Sequence, residues 1–306
     1  MHLTLLGPQR RPTVDQVLPA LDPEAPLATV TAGWQEREPD DGELDALLGG
    51  RTVNLKLYGR WLDVRDRDPG FASAEAEHRT ALEELRTLHL VQLDSALTAL
   101  DVMAQRSGER PQAVQEALAD AEAVVRLLDD RHLARVVESN RTFEATFPPH
   151  ERPVIAEHRA AVERVLQQVG ALVVAGGHVA VLLRNLQLFD VAPFVPQAVV
   201  AWSAGAMALT DRVVLFHDRT AQGPSPVEIY DDGLGLIPGL VLLPHARRRL
   251  RVDEPARLAA LARRFAPARC VVLDDESRLD LEQGGELPAA ARVIDAQGRI
   301  TSMEAR

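Results

Sequence analysis

The chain has 306 residues, of which 46% are hydrophobic and 26% are charged. This balance is typical of a globular protein and excludes a disordered chain, and the length allows one large domain or one domain with an elaboration. The formal net charge of -11 at pH 7 argues against binding to nucleic acid or to anionic membranes, because both attract clustered positive charge. We therefore expect small molecules or peptides as partners.

Because Cys270 is the single cysteine, no intramolecular disulfide can form. It lies in a short apolar run, so a buried strand thiol is the simplest interpretation. The first residues lack a basic segment followed by a long apolar one, and no run reaches the roughly 18 apolar residues that span a bilayer. We therefore expect a cytoplasmic protein.

Residues 1–68 predict the first part of an α/β domain. Short strands are expected at 2–6, 27–32 and 52–57, separated by segments that contain Pro and Gly, and a helix-like stretch at 13–21 lies between the first two.

Residues 69–169 predict a helical insertion. Leucines recur at helical spacing from Leu82 to Leu100, and two further helices are expected at 111–130 and 153–169. We interpret this block as a packed insertion or as the contact surface of a homo-oligomer such as a dimer. A lid over an active site is the alternative.

Residues 170–306 return to short apolar runs and predict the second part of the α/β domain, which carries the site. Continuous apolar runs are typical of buried parallel strands. Strands are expected at 171–175, 198–202, 213–215, 240–243 and 270–273, helices at 179–188 and 257–265, and a final strand or hairpin at 291–302. The fold class predicted is α/β, with a mostly parallel sheet flanked by helices.

The strongest local feature is an apolar strand that leads into Ser203 and then into small residues. This is the pattern of a nucleophile elbow, in which a tight strand-to-helix turn exposes the hydroxyl and the N–H of the next residue, Ala204, faces a developing oxyanion. An ordinary tight turn is the alternative interpretation.

Two further segments support the elbow. Gly176 and Gly177 follow another apolar strand and can offer backbone N–H groups to the same oxyanion hole. His245 follows the run at 240–244, where catalytic residues of open α/β sheets gather, and it is the best candidate for the base that a serine nucleophile needs. Since no His, Cys, Asp or Glu group has the spacing of a metal site, we predict neither a metal nor a cofactor.

Four segments together resemble the peptidase family of dipeptidase E and cyanophycinase. They are Ala-Trp-Ser-Ala-Gly-Ala at 201–206, Asp218 fifteen residues after the serine, Gly-Leu-Gly-Leu-Ile-Pro-Gly at 233–239, and Pro-His-Ala-Arg-Arg-Arg-Leu at 244–250. The resemblance implies a flavodoxin-like fold of the class I glutamine amidotransferase type and cytoplasmic serine-peptidase chemistry with a preference for peptide bonds next to aspartate.

By the same resemblance Ser203 is the nucleophile, His245 the general base and Asp218 the acid that orients it. Glu276 is the second choice for the acid, because the family also has acidic residues in that region. The likeness covers residues 171–285, whereas residues 1–68 share only the general style and the helical block lies outside it.

Three further residues were considered for substrate binding. Arg247 and Arg249 belong to a basic run beside His245 and can attract a substrate carboxylate, although a solvated helix start or salt bridges with nearby acids such as Asp253 and Glu254 are the favoured interpretation. His178 follows the glycine pair, where the family usually has Asn or Asp.

Departures from the family pattern motivate a second hypothesis. Besides His178, Ala201 stands where an elbow usually has its first glycine, and Ala246 replaces the aromatic residue that commonly follows the family's histidine. Under this hypothesis the chain is a non-catalytic, amidotransferase-like binding or scaffold protein with the helical block as its assembly surface. A true glutamine amidotransferase is disfavoured because its nucleophile would be a cysteine at the elbow.

Overall fold

The computed structural model describes residues 1–9, 12–106, 110–217 and 225–303. The strands are β1 (His2–Leu6), β2 (Leu27–Val30), β3 (Thr52–Asn54), β4 (Ala171–Val174), β5 (Ala198–Trp202), β6 (Arg212–His217), β7 (Ser225–Asp232), β8 (Leu240–Pro244), β9 (Arg269–Leu273), β10 (Arg278–Glu282), β11 (Arg292–Ile294) and β12 (Ile300–Ser302). The α-helices are α1 (Gly42–Leu47), α2 (Leu57–Arg67), α3 (Pro69–Ala104), α4 (Pro111–Thr146), α5 (Pro153–Leu166), α6 (Val179–Leu188), α7 (Ala204–Ala208), α8 (Ala246–Arg249) and α9 (Pro255–Phe265).

The main sheet has six strands in the order β10-β1-β5-β4-β2-β3. Strand β10 pairs antiparallel with β1, and the other neighbours are parallel. The faces of β4 show why its sequence is apolar throughout: Leu172 and Val174 enter one hydrophobic cluster, and Ala171 and Val173 enter the other. Both faces of this sheet are therefore covered, as the continuous apolar runs predicted.

A second sheet has the order β12-β11-β9-β8, in which β8 and β9 are parallel and the remaining pairs antiparallel. Its last two strands form the hairpin that the segment 291–302 suggested. Strands β6 and β7 pair antiparallel as a separate ribbon with register shifts.

The two longest helices, α3 and α4, have 36 residues each and pack against one another. The outer part of this hairpin is held by a small cluster of Leu93, Leu100 and Val125. The helix expected to end at residue 130 continues to Thr146, so that prediction was wrong. Beyond Leu128 the buried face of the helix includes the polar side chains of Asp129 and His132, so a stripe of apolar residues alone does not mark its full length.

The α/β class with a mostly parallel central sheet, flanking helices and a long helical region is confirmed. Its division into segments 1–68, 69–169 and 170–306 stays a prediction, as do the flavodoxin-like and amidotransferase-like assignments. Within the described ranges, no helix has both the length and the apolar character needed to cross a membrane.

Candidate functional site

The candidate site lies where the parallel strands of the main sheet end. Residue Val174 of β4 pairs with Ala201 of β5, so the segments after these strands lie side by side at one edge. Gly176 and Ser203 come from these two segments. The carboxyl ends of parallel strands are where open α/β sheets form their ligand sites.

Ser203 occupies a strained turn between β5 and α7. Its backbone has φ 50° and ψ -121°, a conformation that non-glycine residues rarely adopt. The residue is half-buried, and its neighbour Ala204 is buried as the first residue of α7. This is the backbone geometry that a nucleophile elbow requires.

Two glycines let the backbone close around this turn. A Cβ added at Gly205 would lie 2.3 Å from the carbonyl oxygen of Val174, and one at Gly176 would lie 2.9 Å from the Cβ of Ser203. Real Cβ atoms do not approach other atoms this closely, so any larger residue at either position would force the turn away from the end of β4.

A cleft of about 1080 Å³ opens beside the turn. It brings together seven of the residues considered in the sequence analysis: Ser203, His245, Gly176, Gly177, Ala204, His178 and Arg249. Arg247 and Glu276 are not among the described residues that line it. Asp218 lies outside the described residues.

His245 lies between β8 and α8 as the N-cap residue of the helix, with a left-handed backbone at φ 59° and ψ 31°. Its backbone N–H donates to the carbonyl oxygen of Leu273 at 3.1 Å. The strand that precedes His245 is thereby tied to β9, and His245 lines the same cleft as Ser203.

Asp274 holds the turn that carries His245, and sequence reasoning did not assign it this role. The carboxylate is buried, and its Oδ1 accepts from the backbone N–H of Arg247 at 3.0 Å. The signal that could have identified it is its position as the first residue after the apolar run of β9. Glu276, by contrast, is exposed and sits in a left-handed turn at φ 66°.

The residues considered for substrate binding have different surroundings. The guanidinium of Arg247 is exposed and lies 3.5 Å from the carboxylate of Asp274, and Arg251 pairs with Glu254 at 3.1 Å. His178 is the N-cap residue before α6, and its Nδ1 accepts from the backbone N–H of Val181 at 3.3 Å. The imidazole of His178 therefore caps a helix at the rim of the cleft.

Helix α3 supplies part of the cleft wall through Glu83 and Arg86, which the sequence analysis also missed. The guanidinium of Arg86 donates from Nη2 to Glu228 at 2.7 Å and from Nη1 to Glu83 at 3.1 Å. These hydrogen bonds raise the pKa of Arg86, with the bond to Glu228 making the largest contribution. Since Glu228 is buried in β7, this pair fixes α3 beside the cleft.

Cys270 lies within β9 and is buried. Burial raises the pKa of its thiol to about 12, so the thiolate needed for nucleophilic attack does not form at neutral pH.

No protein-family model matches this chain. No curated protein matches it either. Among solved structures, the chain is similar to one described as "Crystal structure of a peptidase from an acI-B1 Actinobacterium", with 12% sequence identity, a TM-score of 0.46, and coverage of 96% of this chain and 91% of that chain. A likeness this distant transfers no activity to the present chain.

Proposed function

We propose that this protein is a serine-type hydrolase that cleaves a small peptide or a related amide bond. The observation that carries the proposal is the strained backbone of Ser203 at a strand-to-helix turn, in the same cleft as His245. Backbone strain of this kind is retained where the surrounding structure enforces it, and active sites are where it gathers. Here the close approach of Gly176 and Gly205 supplies the enforcement.

In the proposed reaction the hydroxyl of Ser203 attacks the carbonyl carbon of the scissile bond while His245 takes its proton. The N–H groups of Ala204 and Gly177 stabilise the negative charge on the carbonyl oxygen, with Gly176 shaping the same turn. His245 then gives its proton to the departing amine. Water, deprotonated by His245, releases the acyl group as a carboxylic acid and restores the serine.

The finer assignment, to the dipeptidase E and cyanophycinase family with cleavage next to aspartate, is part of the proposal and rests on the sequence motifs. Asp218 is the proposed acid of the triad. Glu276 is the weaker choice, since its side chain is exposed and its residue does not line the described part of the cleft. Asp274 is proposed as a positioning residue, because it holds the turn that carries His245.

A fluorophosphonate probe tests the proposal, because it reacts covalently with an activated serine. We expect the wild type to be labelled on the peptide that contains Ser203, and Ser203→Ala to lose all labelling. Ser73→Ala, on the exposed side of α3, is the matched control and keeps full labelling. The second assay is hydrolysis of a chromogenic aspartyl peptide.

Wild-type protein that is folded but unlabelled would contradict a catalytic role. That outcome would favour the alternative of a non-catalytic binding or scaffold protein assembled through the helical block.

A further inference from the structure

A second cleft, of about 710 Å³, lies between the α3–α4 hairpin, α6 and the end of β7. It adjoins the Ser203 cleft, because both are lined by the same five residues: Glu83, Arg86, His178, Ala180 and Tyr230. A ligand with its reacting bond at Ser203 can therefore extend into this second cleft.

Two neighbouring carboxylates, Asp231 and Asp232, line the second cleft. The Oδ1 of Asp231 accepts from the amide Nδ2 of Asn140 at 3.1 Å and from the backbone N–H of Asp232 at 3.0 Å. Burial and then the carboxylate of Asp232 raise the pKa of Asp231 to about 8. At neutral pH the carboxyl group of Asp231 is therefore mostly protonated in the unliganded protein.

The ion pairs among the described residues give neither aspartate a cationic partner. Arg86 is paired with Glu228 and Glu83, and Arg184 stacks over Trp61 at 4.3 Å with its Nε 3.6 Å from Glu75. In addition, the Oδ1 of Asp232 is buried and has no hydrogen-bond partner within the described ranges. Leaving a buried carboxylate oxygen without a donor costs free energy that a bound donor would recover.

A second, independent feature lies in the same cleft. His132 is 2% exposed, and its Nε2 has no hydrogen-bond partner in the part of the chain that the structure describes. Its ring stacks on His89 with a centroid distance of 4.1 Å, which fixes its orientation. Burial lowers the pKa of His132, so the imidazole is neutral at pH 7 and one of its two ring nitrogens can accept a hydrogen bond.

We propose that the second cleft binds a positively charged group of the substrate, an ammonium or a guanidinium, through the carboxylates of Asp231 and Asp232. The reaction at Ser203 depends on the proposed function, whereas binding of the cation does not. Such groups carry only donors, and this cleft supplies acceptors in the two carboxyl groups and in the neutral imidazole of His132. The substrate would then be a peptide with a basic group, held so that its scissile bond reaches the serine.

Calorimetry on the Ser203→Ala protein tests the inference without any turnover. The probes are Nα-acetyl-lysine amide and its neutral counterpart, Nα-acetyl-norleucine amide, which differ only at the end of the side chain. We expect the lysine compound to bind at least about tenfold more tightly, as a charge-assisted hydrogen bond provides. Equal affinities for the two compounds would overturn the inference.

Variants of the aspartates make the test specific. Each single change, Asp231→Asn or Asp232→Asn, leaves one carboxylate free to ionise, so part of the preference for lysine should remain. The double variant should lose it. Glu144→Gln, an exposed change at the rim of the same cleft, is the matched control and keeps it. A folded double variant that still prefers lysine would refute the assignment.

If the double variant fails to fold, Asn140→Lys replaces it. This change places an ammonium beside Asp231 and should abolish the preference by occupying the site from within. The two proposals can fail separately. A wild type that the fluorophosphonate does not label but that still prefers the lysine compound would support the cation site and contradict the hydrolase. A wild type that is labelled but shows no preference for the lysine compound would support the hydrolase and contradict the cation site.

Discussion

The buried ion pair between Arg264 of α9 and Asp129 of α4 should be among the most sensitive points of the fold. The guanidinium donates from Nε to Oδ2 of Asp129 at 2.6 Å and from Nη2 to Oδ1 at 2.7 Å, while its Nη1 donates to the carbonyl oxygen of Val227 at 2.7 Å. Both side chains are almost fully buried, so water does not screen the pair. Breaking such a pair by removing one charge costs about 3–5 kcal/mol.

The test is Asp129→Asn, which keeps the shape of the side chain but removes the charge. Because Asn still accepts one of the two hydrogen bonds, we expect the lower end of that range, a loss of about 3 kcal/mol in the free energy of unfolding measured with urea. The control is Glu138→Gln, the same chemical change on the same helix, whose pair with Arg141 is exposed at both ends. It should cost at most about 0.5 kcal/mol.

A loss below about 1 kcal/mol for Asp129→Asn, with an unchanged slope in urea, would refute the reasoning. It would mean that water or a rearranged neighbour replaces the carboxylate, and that α4 does not depend on α9 for its position.

Two further predictions follow from close contact and from burial. Gly205→Ala would place a Cβ 2.3 Å from the carbonyl oxygen of Val174, and we expect the free energy of unfolding to fall by about 3 kcal/mol in thermal or urea unfolding. The control is Gly42→Ala, whose added Cβ meets no atom within 4 Å and should leave stability nearly unchanged. Equal melting temperatures for these two variants would contradict the first prediction. For Asp231, a pKa raised from 3.8 to about 8 means that the folded state binds the extra proton, so stability falls as pH rises from 4 to 8. Asp231→Asn removes this loss and should be more stable than wild type at pH 9, by at most about 6 kcal/mol, with little difference at pH 4. A gain that does not depend on pH would exclude this cause.

The strands that the sequence predicted well are those covered on both faces. In β4 and β5 every buried position is apolar, so the composition of the strand alone reveals it. Strand β10 was missed because it has no continuous apolar run. It lies at the sheet edge, and in its sequence Arg-Leu-Asp-Leu-Glu only Leu279 and Leu281 are buried. Strand β7 was missed because it carries Glu228, whose buried charge is stabilised by Arg86, 142 residues away.

In the candidate site, too, features with a local sequence pattern could be predicted, whereas features that depend on distant residues could not. The turn at Ser203 leaves a local signal, because an apolar strand leads into the serine and small residues follow it, although the end of β4 also packs against the turn through Val174 and Gly176. The positioning role of Asp274 depends on β8 and β9 being parallel neighbours, which no local pattern reveals. The second cleft depends on Asn140 of α4 meeting Asp231 of β7 across 91 residues.

The attachment of His245 to β9 means that the two turns of the candidate site are completed at different points along the chain. The turn at Ser203 rests on β4, β5 and α7, all of which lie before residue 210. The turn at His245 is held by the carbonyl of Leu273 and the carboxylate of Asp274. During synthesis the turn that carries the proposed nucleophile can therefore form while the proposed base is not yet fixed, so the proposed hydrolysis would begin only after residue 274 has left the ribosome and paired.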